Sequence, residues 1–142
     1  MATYSDAVEF YGHPMVRAAH RTTIEVTKDS RLTIDGDCII GVRADKGLTE
    51  LSGSVKDALR TDGSRVTFSI EVPEQSFTLR AFGTSSLTLE SDHEMVIRRS
   101  EYVCGRTLAV RADAAAKDIP RVLVQTLRNP VARGLLRMEV TA

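Results

Sequence analysis

The chain has few of the compositional features that would define a function by themselves. Its 142 residues include 19 basic and 19 acidic side chains, so no excess charge attracts nucleic acid or an anionic membrane surface. Aromatic residues are scarce, with four phenylalanines, three tyrosines and no tryptophan, which leaves few rings for stacking single-stranded bases. No apolar run approaches the length of a membrane span, so we expect no membrane partner.

Cysteine is also rare, and its setting favours a reducing compartment. There are only two cysteines, and the first residues lack the basic-then-apolar pattern of a secretory signal. Thiols in such a chain stay reduced in the cytosol, so we expect a cytoplasmic protein. Proline and glycine do not cluster into a linker, and residues 1–142 suit a single domain with one hydrophobic core.

The sequence does contain an internal repeat. Residues 42–72 align without a gap to residues 110–140, and nine of the 31 aligned pairs are identical. The repeats extend over approximately residues 1–72 and 73–142. This pattern predicts an internal duplication, with two copies of one unit related by a pseudo-two-fold axis.

Each copy has the pattern of three strands, a helix and a final strand. Alternating apolar residues predict a half-buried strand at 23–27 and a one-sided strand at 66–72. The apolar spacing between them is helical, but Ser52-Gly53-Ser54 interrupts it and predicts a helix in two pieces. In the second copy, similar patterns predict strands at 87–89 and 95–97.

These patterns predict a mainly β, α+β single domain with one broken helix per repeat. Two such halves resemble the half-units of double-psi β-barrels, in which closure of the sheet removes exposed edges. A compact β-sandwich with the same duplication explains the pattern nearly as well, so both architectures stay open. We expect the residues that both copies share to form the structural frame, with Asp45 and Asp113 as caps of the following helices.

Several separated motifs resemble one archaeal family. The first copy contains Gly12-His13-Pro14, Val16-Arg17-Ala18, Gly36-Asp37-Cys38 and Ala44-Asp45-Lys46. The second copy adds Met95-Val96-Ile97-Arg98, Val103-Cys104 and Arg106-Thr107-Leu108. Over nearly the whole chain, these motifs resemble the archaeal family called Domain of Unknown Function 371. The resemblance implies an archaeal or archaeal-like cytoplasmic protein with a predominantly β domain, and it implies no particular activity.

The two copies differ in the loop of residues 12–23. When the neighbouring strands are aligned, His13 lies opposite Thr84 and His20 lies opposite Ser91, so both histidines belong to the first copy alone. Residues that folding required would be expected in both copies. The asymmetry therefore favours this loop as a functional site.

Basic and hydroxyl side chains in this loop, and in the matching region of the second copy, predict a phosphate-binding site. Guanidinium groups donate paired hydrogen bonds to phosphate, and interlocked halves would bring the two groups of residues together. We therefore expect a phosphate-bearing ligand, either RNA or a nucleotide. The expected ligand-binding residues are Arg17, His20, Arg21, Thr22, Thr23, Arg98 and Arg106.

Two other classes of function stay open. A small enzyme, with or without a metal, would be centred on His13, His20, Asp37 and Cys38, because these groups can supply a base, an orienting acid and a nucleophile. Their spacing matches no tight metal motif, so His13, His20 and Cys38 are weak metal candidates and no cofactor is indicated. Cys38 and Cys104 occupy nearly matching places, so we expect both thiols in the core. A protein-interaction module is the third class.

Overall fold

The computed structural model describes residues 1–33 and 35–142, which form strands, short α-helices and 3-10 turns. The strands are β1 (Thr3–Tyr11), β2 (Thr23–Thr27), β3 (Ile39–Gly41), β4 (Arg65–Val72), β5 (Gln75–Phe82), β6 (Glu94–Arg98), β7 (Thr107–Ala109) and β8 (Arg133–Thr141). The helices are α1 (Gly53–Leu59) and α2 (Arg121–Leu127). A 3-10 turn precedes each helix, at Leu48–Glu50 and at Ala116–Asp118, so the helical segment is broken in both halves as predicted.

The described strands form two four-stranded sheets. One sheet has the order β1–β8–β4–β5 and is antiparallel throughout. The other has the order β3–β2–β6–β7, with an antiparallel pair at its centre and a parallel strand at each edge. Single antiparallel bridges, Tyr11–Val42 and Phe82–Val110, connect the two sheets. The domain is therefore mainly β with two helices, and its two sheets are not the closed barrel that was one of the predicted architectures.

Apolar side chains from both sheets and both helices fill one hydrophobic core. Phe10 and Phe68 are fully buried from the first sheet, Ile24 and Ile97 lie almost fully buried on the second, and Leu59 of α1 is fully buried as well. Such burial is the main source of stability in a domain of this size. Within the described residues, no helix has the length and apolar character needed to cross a membrane.

The two halves have the same order of elements and several matching contacts. The Asp45 carboxylate accepts a hydrogen bond from the Glu9 N–H at 3.0 Å, and the Asp113 carboxylate accepts one from the Arg80 N–H at 2.9 Å. Both aspartates therefore fasten a loop to a strand of the first sheet. The prediction that they cap helices is wrong, since each helical segment begins three residues further on, with Gly47 and Ala115 at the N-caps. An origin by duplication stays a prediction.

Two local predictions about strands need correction. Residues 87–89 form no strand, because the backbone of Leu89 has a positive φ of 50°, which interrupts an extended conformation. Residues 23–27 form the predicted strand β2, but all five are buried and not only the alternate ones. Side chains from neighbouring segments pack against the second face of β2, and this burial creates the site described next.

Candidate active site on the second sheet

A cluster of polar side chains lies on the face of the β2–β6 pair that is turned away from the core. Residues directly opposite each other in an antiparallel pair have their side chains on the same face. Three cross-strand pairs share this face: Thr23 with Arg98, Glu25 with Val96, and Thr27 with Glu94. The alternate pairs, Ile24 with Ile97 and Val26 with Met95, belong to the hydrophobic core. The register of the two short strands thus brings the acidic Glu94 and the basic Arg98 of β6 next to Glu25 of β2.

Glu25 is the centre of this cluster, and only 7% of the residue is exposed. Its Oε1 lies 3.6 Å from Arg106 Nη1 and accepts a hydrogen bond from Cys38 Sγ at 3.9 Å. Burial, and next the negative charge of Glu94, raise the pKa of Glu25 to about 7, although Arg106 and Arg98 oppose this shift. Glu25 therefore changes its protonation state near neutral pH, as a general acid–base requires.

Arg106 connects Glu25 to a second carboxylate. Its Nη1 donates to Glu94 Oε2 at 2.8 Å while lying 3.6 Å from Glu25 Oε1. The negative charge of Glu94 on this shared guanidinium disfavours the ionised form of Glu25. The Arg106 side chain is half exposed, so solvent and small molecules reach this side of the cluster.

Cys104 lies beside the same arginine and receives hydrogen bonds from several donors. Arg98 Nη2 donates to its Sγ at 3.4 Å, and Thr107 Oγ1 donates at 3.8 Å. Partial burial favours the neutral thiol, but hydrogen bonds from the Arg106 backbone, Thr107, Arg98 and the Arg106 side chain outweigh it. They lower the pKa of Cys104 to about 7. A substantial fraction of Cys104 is therefore thiolate at neutral pH.

Cys38 has the opposite environment. Burial, and next the charge of Glu25, raise the pKa of the Cys38 thiol to about 11, so it stays protonated at neutral pH. The prediction that both thiols are core residues is wrong, since each is only partly buried. The two cysteines also occupy different positions in the two halves. The Glu25 N–H donates to the Cys38 carbonyl, and in the second half the matching Val96 N–H donates to the Arg106 carbonyl. The position that corresponds to Cys38 is therefore Arg106 and not Cys104.

His20 is the loop histidine that joins the cluster. Its Nδ1 accepts hydrogen bonds from the backbone N–H groups of Thr22 and Thr23, both at 3.2 Å, and the Thr23 hydroxyl lies 2.9 Å away. The Thr23 hydroxyl also contacts the Cys38 thiol, which in turn donates to Glu25. A continuous line of polar contacts therefore runs from the half-exposed His20 to the buried Glu25.

His13 and Asp37, the other residues of the predicted enzyme centre, have different surroundings. The ring Nδ1 of His13 accepts a hydrogen bond from the Met15 backbone N–H at 3.0 Å. The backbone N–H of His13 donates to the Leu127 carbonyl at the end of α2. The Asp37 backbone carbonyl accepts hydrogen bonds from the N–H groups of Ala19 and His20. The negative charge of the Asp37 side chain contributes to the raised pKa of Cys38. In the part of the chain that the structure describes, no three His, Cys, Asp or Glu side chains are arranged to hold a metal ion.

The predicted phosphate-binding residues meet only in part. Thr23 lies opposite Arg98 in the sheet, and the Arg99 N–H donates to the Thr22 carbonyl at 2.8 Å, so the loop and the arginines of the second half are neighbours. Arg98 and Arg106, however, are engaged by the thiol and the carboxylates described above. Arg17 and Arg21 are exposed, and Arg21 adjoins Thr22 in the chain.

Arg121 fastens the loop to the second half. Its guanidinium donates to five backbone carbonyls, two in the loop and three in the segment before α2: Arg17, Ala18, Ala116, Lys117 and Ile119. An arginine engaged in this way fixes the loop that carries His20. In the repeat alignment, Arg121 faces Gly53, so this difference between the copies was visible in the sequence although its role was not.

Sequence reasoning missed the residues at the centre of the site, namely Glu25, Glu94, Cys104 and Thr107. One signal was present for Glu25. The strand alignment pairs Glu25 with Val96, and an apolar residue at the matching position of the other copy indicates a buried position. A carboxylic acid in a buried position is a candidate for an altered pKa.

The fold and the cluster define a small, mainly β domain that carries a buried acid, two arginines and an activated thiol on one sheet. The chain belongs to the family described as Domain of unknown function (DUF371), whose model matches residues 8–141. It is 43% identical over 118 residues to the uncharacterized protein MJ0206 of Methanocaldococcus jannaschii. The aligned region covers 83% of this chain and 87% of that protein. The membership predicted from the sequence motifs is confirmed.

Proposed function

We propose that the protein is a small enzyme whose active centre is the cluster on the β2–β6 pair, with Glu25 as its general acid–base. The burial of Glu25, which is 7% exposed, is the observation that carries this proposal. A buried ionisable side chain opposes folding, and Val96 at the matching position shows that an apolar residue suits such a place in the sheet. A residue that opposes stability and has a displaced pKa is a candidate for catalysis.

The neighbours of Glu25 supply what proton transfer needs. Glu94 disfavours the ionised form of Glu25 and Arg106 favours it, so the two forms differ little in free energy near neutral pH. His20 lies at the outer, half-exposed end of the contacts through Thr23 and Cys38, where these contacts reach the surface. Both cysteines are free thiols, which agrees with action in a reducing cytoplasm.

A comparison of metabolite profiles tests this proposal without a known substrate. The purified protein, an E25Q variant and an E9Q control are each incubated with a small-molecule extract of an archaeal cell, and mass spectrometry follows the composition over time. Glu9 is a half-exposed strand residue paired with Arg133, so E9Q changes one carboxylate outside the cluster. We expect at least one compound that the wild type and E9Q consume and E25Q spares. Equal profiles for E25Q and the wild type would contradict the proposal.

Binding of a phosphate-bearing ligand, RNA or a nucleotide, is a second candidate function. It is supported by the backbone contact between the loop and the second half, where the Arg99 N–H donates to the Thr22 carbonyl next to the exposed Arg21. Filter binding over a salt series, with labelled RNA and with ATP, tests it. The variant R98A/R106A should weaken retention and reduce its salt dependence. Retention that responds neither to salt nor to these substitutions would exclude this function.

We also propose that the chain arose by duplication of one strand–strand–strand–helix–strand unit. The matching contacts of Asp45 and Asp113 and the matching bridges between the sheets support this origin. A chain built from two copies of residues 73–142 should then fold cooperatively, as circular dichroism and urea unfolding would show. A disordered product would count against it.

A further inference from the structure

We infer that Cys104 is the nucleophile of this centre, and that the substrate it attacks is an anionic electrophile bound by Arg98 and Arg106. This inference rests on the proposed enzyme function and adds the reacting atom and the class of substrate. It concerns a covalent step, which is experimentally separable from the proton transfer assigned to Glu25.

The hydrogen bonds around the sulfur suit a thiolate better than a thiol. Thr107 Oγ1 accepts from the Cys104 N–H at 3.0 Å and from Arg98 Nε at 2.9 Å, so its own proton is left for the sulfur. Arg98 Nη2 is a second donor to the sulfur, and a guanidinium cannot accept a hydrogen bond. The hydrogen bonds that the described residues make to Cys104 Sγ come from donors alone, and a negatively charged sulfur satisfies them.

The two arginines that donate hydrogen bonds to the sulfur are held in place by contacts on their other sides. The Arg98 guanidinium lies over the Tyr102 ring, 4.9 Å from its centroid, and Glu94 holds Arg106 at 2.8 Å. Guanidinium groups stay charged at every pH that proteins encounter. A carboxylate or phosphate group on a substrate would therefore be attracted to the same place where the thiolate forms.

Access and proton supply are both present. Cys104 is partly exposed and Arg106 is exposed, so a small molecule can reach the sulfur from solvent. Glu25 contacts Arg106, the same guanidinium that hydrogen-bonds the sulfur. In the inferred step, the thiolate attacks an electrophilic carbon and a sulfur–carbon bond forms. The leaving group departs with the electron pair of the broken bond and takes the proton of neutral Glu25, so charge and protons balance.

Iodoacetate and iodoacetamide test both parts of the inference on the intact folded protein. The two reagents have the same reacting carbon and the same iodide leaving group, and only iodoacetate is negatively charged. Peptide mass spectrometry measures the modification rate at Cys104 and at Cys38, which serves as an internal reference. At pH 7 we expect Cys104 to react about a hundred-fold faster than Cys38, because its larger thiolate fraction outweighs the lower intrinsic reactivity of a low-pKa thiolate.

The charge preference is measured as the ratio of the iodoacetate rate to the iodoacetamide rate at Cys104, relative to the same ratio in the urea-unfolded chain. We expect the folded protein to raise this ratio several-fold. R98M and R106M should lower the ratio toward the unfolded value and shift the pH midpoint of alkylation upward. R99M is the matched control, because Arg99 adjoins Arg98 in the chain and lies 4.0 Å from Asp118, outside the thiol contacts.

The outcomes distinguish this inference from the proposed function. If Cys104 reacts no faster than Cys38, or shows no preference for the anionic reagent, the inference is overturned. The acid–base role of Glu25 would still stand if E25Q abolished turnover in the metabolite assay. A fast, anion-selective Cys104 together with an inconsequential E25Q would support the nucleophile and exclude Glu25. Urea unfolding of each variant verifies that the compared proteins are folded.

Discussion

Replacing Glu25 by glutamine should remove a large part of the pH dependence of stability in the range from pH 4 to 8. The pKa of Glu25 rises from an ordinary value of 4.5 to about 7 on folding. One pKa unit corresponds to about 1.4 kcal/mol, so ionised Glu25 disfavours the folded state by roughly 3 kcal/mol. The residue is buried, so solvent screens little of this cost.

The sign follows from proton binding. The folded protein retains the Glu25 proton up to about pH 7, whereas the unfolded chain loses it near pH 4.5. The contribution of Glu25 to stability is therefore fully present below the unfolded pKa and is lost as the pH rises through the folded pKa. The pKa values of Asp6, Glu71 and Asp118 are instead lowered, so their contributions are lost as the pH falls. Those contributions belong to both proteins and cancel in the difference between wild type and E25Q.

Urea unfolding at half-unit steps from pH 4 to 8 measures this difference. The free energy of unfolding of the wild type relative to E25Q should fall by roughly 3 kcal/mol across the range, with its midpoint between the two pKa values. His93, whose pKa is raised by its hydrogen bond to Asp29, titrates in both proteins and also cancels. E9Q should follow the wild-type curve. A constant difference between wild type and E25Q would refute the claim that folding displaces the Glu25 pKa.

Four further substitutions test the frame around the site. R121M should lower the free energy of unfolding by about 2 kcal/mol, because five carbonyls lose a donor, and amide exchange in the loop should accelerate. G41A should abolish cooperative thermal unfolding, because a Cβ at Gly41 would lie 1.9 Å from Phe10 Cδ1. D45A and D113A should each cost about 1 kcal/mol in urea unfolding, and a large inequality between them would contradict matching roles.

The parts of the fold that local sequence determines were predictable. Alternating apolar residues indicate β4, and the apolar run Met95-Val96-Ile97 indicates the centre of β6. Ser52 and Gly53 indicate the break before α1, where Ser52 accepts a hydrogen bond from the Val55 N–H. The pairing of β2 with β6 was not predictable in this way. It joins residues about 70 positions apart, and no local period reports which distant strand becomes a neighbour.

The candidate site was predictable to a similar extent. His20, Thr23, Cys38, Arg98 and Arg106 were expected to be functional, and the structure places all five in one network of contacts. Glu25 escaped notice because alternation in a strand normally assigns a charged residue to solvent. Its burial depends on Cys38 and Arg106 packing against it from segments that lie outside the strand.

The residues that differ between the two halves explain why the polar cluster lies at the centre of the second sheet and not in the loop of residues 12–23 alone. The antiparallel pair β2–β6 is centred on Glu25 and Val96, which are matching positions of the two halves, so a difference between the halves at this position becomes a direct contact. Glu25 faces Val96, and the site of Cys38 in one half is the site of Arg106 in the other. The first half therefore supplies Glu25 and the thiol of Cys38. The second half supplies Arg98, Arg106 and Cys104, and these side chains meet in one cluster. Identical halves would place like charges opposite each other across this pair, which would be unfavourable. Divergence of the halves at Glu25 and Val96 thus avoids two carboxylates facing each other at the centre of their junction.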